Sequence, residues 1–218
     1  MKVNTIKKNE TYTWLIKKHY AKRLCPISYA FGVYVDDELE GIVTYGVPSS
    51  ATLRDGLCGP ELSHYVLELN RLCLNSDVPR NAASFLVGRS LKLLPKGTIV
   101  VSYADTAMGH VGYVYQATNF IYTGLSAKRT DWKIKGLEHL HGQTVADEFI
   151  GKKNRADLMR SKYGDDFYLQ NRSRKHRYVY FTDKRMEKHL KYGRQNYPKG
   201  ITSRYQCKDI KKTQKILF

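Results

Sequence analysis

A chain of 218 residues that is 42% hydrophobic and carries seventeen tyrosines has the apolar surface for a sizeable core, which argues against disorder and for one large domain or a domain with an appendage. No run of about 18 consecutive apolar residues occurs and MKVNTIKKNE lacks the apolar stretch of a secretory signal, so neither a membrane-spanning helix nor export is expected and the cytoplasm of a host cell is. The formal charge of +17 is unevenly placed: residues 1–150 hold 17 Lys and Arg against 14 Asp and Glu, whereas residues 151–218 hold 20 against 6, a distribution that fits nucleic acid better than a membrane surface, because the basic part has no long apolar helical face to insert.

In chain order, TYTWLIKKHYAKR predicts a first helix, capped by Thr11, with Tyr12, Leu15, Ile16 and His19 on one face and Pro26 ending it. ISYAFGVYVDDELEGIVTYG predicts two strands, about 27–35 and 39–46, turning at Asp36-Asp37. PSSATLRDGLCGP (48–60) predicts a mobile loop of the kind that covers a site. YVLELNRLCL (65–74) predicts a strand. A helix opened by Asp77 and Pro79 is expected to run to Leu94, and TIVVSYAD (98–105) has the apolar character of a strand covered on both faces. A helix over about 109–119 and a strand in NFIYTGLS follow.

This alternation predicts parallel pairing through right-handed crossovers, and so an α/β fold, a mixed sheet flanked by helices. KHRYVYF (175–181) predicts a late strand, and DKRMEKHLKYGRQ a short helix. Residues 1–150 are expected to form the body, and residues 151–218 a basic segment packed on it. Cys25, Cys58, Cys73 and Cys207 contain no CxxC pair, so reduced, packed thiols are expected.

Ligands in open parallel sheets bind beyond the carboxyl ends of the strands, where Asp105 lies; Asp105 can equally cap the next helix. Glu68, Asn70 and Arg71 interrupt the neighbouring strand where apolar residues are expected, and Tyr113 and Tyr115 open the following helix within reach of the same crevice. In DVPRNAAS the small Ala82, Ala83 and Ser84 leave helix-start amides accessible to an anion, or serve only packing. His19, on the apolar stripe, reads as a core histidine or as a site residue beside Tyr20. His139 and His141 lack a carboxylate cluster, so no metal is expected there. Arg172, Arg174, Lys175, Arg177, Lys191 and Arg194 alternate with tyrosines, a pairing suited to phosphate contact and stacking on an unpaired base, or to a solvated basic face.

KKHY, SYAFG, VTYG, ELNRLCLN, PRNAAS, SYADTAMGHVGYVYQATNFIYTG and KHRYVYF together resemble the Mom family of bacteriophage DNA-modification proteins, over about residues 12–200. That family is similar in architecture to the GNAT acyltransferases, in which acyl-coenzyme A sits where two parallel strands splay; here these would be 65–74 and 98–105. The resemblance implies conversion of the exocyclic amine of adenine in double-stranded DNA to its carbamoylmethyl form, which shields phage DNA from host restriction. It implies a small acyl or glycyl donor, with acetyl-coenzyme A as one form, held by Arg80, Asn81, Ala83 and Ser84, with Ser84 or Ser90 contacting the donor. RNAASF keeps Arg80 of the GNAT pyrophosphate loop but has neither of its glycines. In this reading Asp105 accepts a proton from the amine or orients it, Tyr115 donates to a leaving group or oxyanion, Arg71 holds a carboxylate or phosphate, and Tyr20 and His19 line the opposite wall. The residues alone also leave open an N-acyltransferase acting on a protein or small amine, and a DNA-binding protein without catalysis.

Overall fold

The computed structural model describes residues 1–140 and 142–200. Its strands are β1 (Lys2–Thr5), β2 (Tyr29–Val35), β3 (Glu38–Gly46), β4 (Val66–Leu74), β5 (Ile99–Asp105), β6 (Ile121–Leu125), β7 (Thr130–Ile134), β8 (Phe167–Asn171) and β9 (Lys175–Phe181). One sheet runs β1-β2-β3-β4-β5-β9-β6, and β7 pairs with β8 in a second. Asp36 and Asp37 turn the β2–β3 hairpin with φ of 48° and 62°, the left-handed pair whose twist matches that of the flanking strands.

Parallel pairing is confined to β4 and β5, which corrects the expectation of a parallel series. β9 inserts between β5 and β6 and runs antiparallel to both. The long excursion between β6 and β9 lets the chain return and enter the sheet at an internal position.

Three helical expectations change. The 48–60 segment is not a loop: α1 (Ala51–Cys58) begins where the Ser50 hydroxyl accepts the Leu53 N–H at 3.2 Å, and it buries Leu57 and Cys58. α2 (Ala82–Leu93) starts later than Asp77 and Pro79 suggest, after a turn in which the Pro79 carbonyl accepts the Ala82 N–H. The first helix is a 3₁₀ turn (Lys8–Thr11) followed by a π-helical turn (Trp14–Lys18), and Trp14 and Leu15 are buried while Tyr12 and Ile16 are exposed. His19 follows with extended backbone.

The helix expected over 109–119 is also shorter, a 3₁₀ turn (Thr106–Met108) and then α3 (Tyr113–Ala117). Gly109 and Gly112 separate them with φ of 65° and 81°. At Gly112 a Cβ would stand 2.5 Å from the Tyr178 ring, so both conformation and space require glycine.

α2 and α3 cover one sheet face, where Val43, Tyr45, Leu69, Leu86, Val100 and Tyr178 form the main core. Leu57 of α1 packs on the other face with Val66, Ile99, Val101, Val179 and Phe181. Trp14 and Leu15 close that face over Ile42 and Cys73.

The excursion between β6 and β9 adds α4 (Gly142–Asp147) and α5 (Arg155–Tyr163) to β7 and β8, and has its own small core of Ile134, Val145 and Met159. The division expected at residue 150 falls inside this unit. After a 3₁₀ turn (Lys184–His189), residues 191–200 lie along the body as a strap: the Lys191 N–H donates to Leu57, the Gln195 N–H to Tyr122 and the Tyr197 hydroxyl to Phe120. Among the described residues Cys25, Cys58 and Cys73 form no disulfide with one another, and Cys58 and Cys73 are buried. Cys207, His141 and the end of the basic segment (201–218) lie outside the described residues.

Candidate active site

β4 and β5 stay paired from Val66–Ile99 to Leu69–Ser102 and then separate. At that point β4 carries an extra residue, Asn70, since Leu69 pairs with Tyr45 and Arg71 with Thr44. Asn70 is fixed by donating to the Pro26 carbonyl (2.7 Å) and accepting from the Thr44 hydroxyl (2.6 Å). The Ser102 hydroxyl satisfies the Leu69 carbonyl at the fork (3.0 Å). Beyond it opens a cleft of about 350 Å³.

Into this cleft the structure brings Asp105, Arg71, Tyr115, His19 and Tyr20, together with Glu68, Ala83 and Lys175. Asp105 Oδ1 accepts from the Ala107 N–H (3.0 Å) and the Ser173 hydroxyl (2.8 Å), and Oδ2 lies 3.4 Å from the Lys175 ammonium. Burial opposes its charge, but these hydrogen bonds and Lys175 outweigh it and hold the carboxyl below its ordinary range. The capping role is therefore real, around a 3₁₀ turn, and most of the carboxylate's accepting capacity is committed.

Glu68, read from sequence only as an interruption of the strand, is the contrasting acid. Burial raises its pKa, against the opposing fields of Arg71 and Lys175, and among the described residues its carboxylate accepts no hydrogen bond. Its signal was present: a charged residue at an internal position of a covered strand. Arg71 donates through Nη1 to the Asn70 carbonyl (2.7 Å), while its buried Nε has no hydrogen-bond partner.

Burial, reinforced by the Arg71 charge, pushes His19 down to about 4, so the imidazole is neutral near pH 7. Its Nδ1 accepts from the Ala21 N–H (3.0 Å), which leaves the hydrogen on Nε2. Burial likewise pushes the Tyr115 phenol up to about 12, with the neighbouring Ser102 hydroxyl acting the other way, so it remains a proton donor.

The residues expected around α2 are divided. Ala83 lines the cleft; Asn81 and Ser84 line a separate groove with Phe85 and Tyr180, and Arg80 is exposed. Ser90 does not reach either: it is fully buried, 2.6 Å from the Tyr45 hydroxyl, and donates to the Val87 carbonyl.

The six basic positions are also divided. Lys175 faces the cleft. Arg174 donates to the Ser126 carbonyl (2.6 Å), and Arg177 to Thr123 (2.8 Å) while stacking 3.5 Å over the Tyr192 ring. Arg194 pairs with Glu187 (3.2 Å), Arg172 lies 3.9 Å from Asp131, and Lys191 is exposed. Tyr178 is buried in the core. Among the described residues no three His, Cys, Asp or Glu side chains could hold a metal ion, and no helix is long and apolar enough to cross a membrane.

Residues 1–199 match the Mom protein family. The chain is 30% identical over 207 residues to the methylcarbamoylase mom of Escherichia phage Mu, covering 91% of this chain and 84% of the relative. Among solved structures, yncA of Salmonella typhimurium, a putative acetyltransferase with acetyl-CoA, aligns over 84% of this chain and 95% of its own with 9% identity and a TM-score of 0.46. An N-acetyltransferase of Staphylococcus aureus Mu50 aligns over 84% and 98% with 14% identity and a TM-score of 0.44.

Proposed function

Because the chain belongs to the Mom protein family, we propose that it is a transferase that converts adenine in phage DNA to N6-carbamoylmethyladenine and so protects that DNA from host restriction. The substrate is double-stranded DNA, and the target base leaves the stack to enter the cleft, at a cost of a few kcal/mol that phosphate contacts offset.

The adenine amine is a weak nucleophile, because its lone pair is delocalised into the ring, and on bonding to carbon it must give up a proton. Glu68 is the acceptor its environment favours: a partly desolvated carboxylate, without a hydrogen-bond donor, between two cations. Asp105 holds Lys175 and Ser173 in place beside it. Tyr115 and the Nε2–H of His19 present neutral donors to charge developing on oxygen, and Arg71 holds an anionic part of the donor.

An acyl carrier such as coenzyme A fits the same place. From Asn70 onward the β4 edge has no β5 partner and can pair with an extended arm, and Ala83 leaves room beside it. A carrier bound there would hold the donor. Because N6 of the product bonds to a methylene carbon and not to a carbonyl, the donor would have to present that methylene with a leaving group that departs as the N–C bond forms and the amine proton passes to the acceptor.

The observation that supports the reading most directly is the fork between β4 and β5, with an unpartnered acid and neutral donors at its mouth, in a member of this family. Mass spectrometry of nucleosides from the DNA of expressing cells tests it. A mass increment confined to deoxyadenosine is expected; unmodified deoxyadenosine in cells holding folded protein refutes it.

A further inference from the structure

Sequence places the DNA grip on Arg172, Arg174, Lys175, Arg177, Lys191 and Arg194, yet all of these but Lys191 contact acids, a carbonyl or a hydroxyl within the protein. The excursion between β6 and β9 is differently placed. β6 ends at Leu125, opposite His176, and β9 begins at Lys175, opposite Asp105, so the unit leaves and re-enters the sheet at the end where the cleft opens. Its return is tied to the cleft: the Ser173 hydroxyl donates to Asp105, and the Thr106 hydroxyl to the Arg174 carbonyl (2.6 Å). Arg129, whose carbonyl accepts the Arg172 N–H (2.9 Å), stands close enough to the cleft-lining Tyr103 phenol to act on its charge.

The unit's cations fall into three groups, one of which, Lys133 and Arg174, donates to backbone carbonyls. Lys135, Arg155, Arg160, Lys162 and Arg172 each face an acid of the same unit. Lys128, Arg129, Lys152 and Lys153 are exposed and, among the described residues, have no acid partner. Cations left free beside a cleft that receives a base are placed to neutralise the phosphates flanking it.

We infer that the unit between β6 and β9, through Lys128 and Arg129, which follow the end of β6 on the side of the sheet where the cleft opens, is the surface that holds the DNA duplex. The inference rests on duplex DNA being the substrate. Each neutralised phosphate contributes about 0.9 to the slope of log affinity against log salt concentration.

The test measures binding of a random-sequence duplex by the full chain across a salt series. Lys128→Gln/Arg129→Gln is expected to reduce the slope by about 1.8, which weakens binding about 60-fold at 0.1 M salt relative to the effect extrapolated to 1 M, with the melting temperature unchanged. Lys128→Arg/Arg129→Lys should restore both, and Lys191→Gln/Arg194→Gln should leave the slope near that of the unaltered chain. A slope retained in the Lys128→Gln/Arg129→Gln protein, or lost in the strap variant instead, overturns the inference while DNA remains the substrate. Absence of duplex binding and of adenine modification in the unaltered protein removes the functional reading, and the inference with it.

Discussion

Asp105 and Lys175 stand opposite one another across β5 and β9, and the ammonium of one lies 3.4 Å from the carboxylate of the other. Both side chains are largely shielded, with 16% and 31% of their surfaces exposed, so neither charge is well solvated if its partner is lost. Asp105→Asn is therefore expected to lower stability by about 1–3 kcal/mol and to displace Ser173 and Lys175. Combined with Lys175→Met, the loss should be less than additive, which a double-mutant cycle by denaturant unfolding measures.

Glu68→Gln tests the proton acceptor. The amide keeps shape and polarity but cannot take the proton, so turnover should fall by about 10²-fold or more with DNA binding unchanged. The acidic limb of the pH–rate profile should disappear with it, because that limb reports protonation of Glu68.

His19 makes stability depend on pH. Its folded pKa of about 4 lies below the ordinary histidine value near 6.5, so between these values the unfolded chain binds a proton that the folded chain does not. Stability from this group is complete above about 6.5 and declines as pH falls toward 4, by roughly 3 kcal/mol in total. Replacing His19 with Gln should flatten that window in urea titrations, and NMR should show an Nε2–H imidazole at pH 7.

Ser90→Ala separates core from site. It leaves the buried Tyr45 hydroxyl without its partner at 2.6 Å and should cost about 1–3 kcal/mol. Turnover per folded molecule should be unchanged, because Ser90 does not line the cleft.

Gly112→Ala sets a methyl against the Tyr178 ring at a backbone φ of 81°. A loss of more than about 2 kcal/mol is expected, together with reduced turnover, because the start of α3 carries Tyr115 to the cleft. Thermal melts and nucleoside analysis on the same preparation measure the two effects.

Strands were legible where side-chain alternation or an unbroken apolar run marks them, as in 29–46 and 99–105, and the polar interruption at Glu68, Asn70 and Arg71 marked the site end of β4. α1 was concealed by a composition that also suits a loop, and only the Ser50 cap with Leu57 packed beneath the sheet distinguishes it. Asp105 reads as a candidate base in the sequence, and the structure adds that its Oδ1 accepts two hydrogen bonds and its Oδ2 faces Lys175; Ser90 reads as available until Tyr45 is seen against it.

By itself, then, the order of residues determined which segments pair into strands, where polar groups break an apolar run, and that positive charge gathers late in the chain, because these depend on neighbours a few positions apart. Only the tertiary structure decided that β9 enters between β5 and β6, and that among the described residues Glu68 rather than Asp105 is left without a donor and some cations without an acid. Those outcomes turn on desolvation and hydrogen bonding between groups as far apart as Asp105 and Ser173, and such partners meet only when the sheet closes.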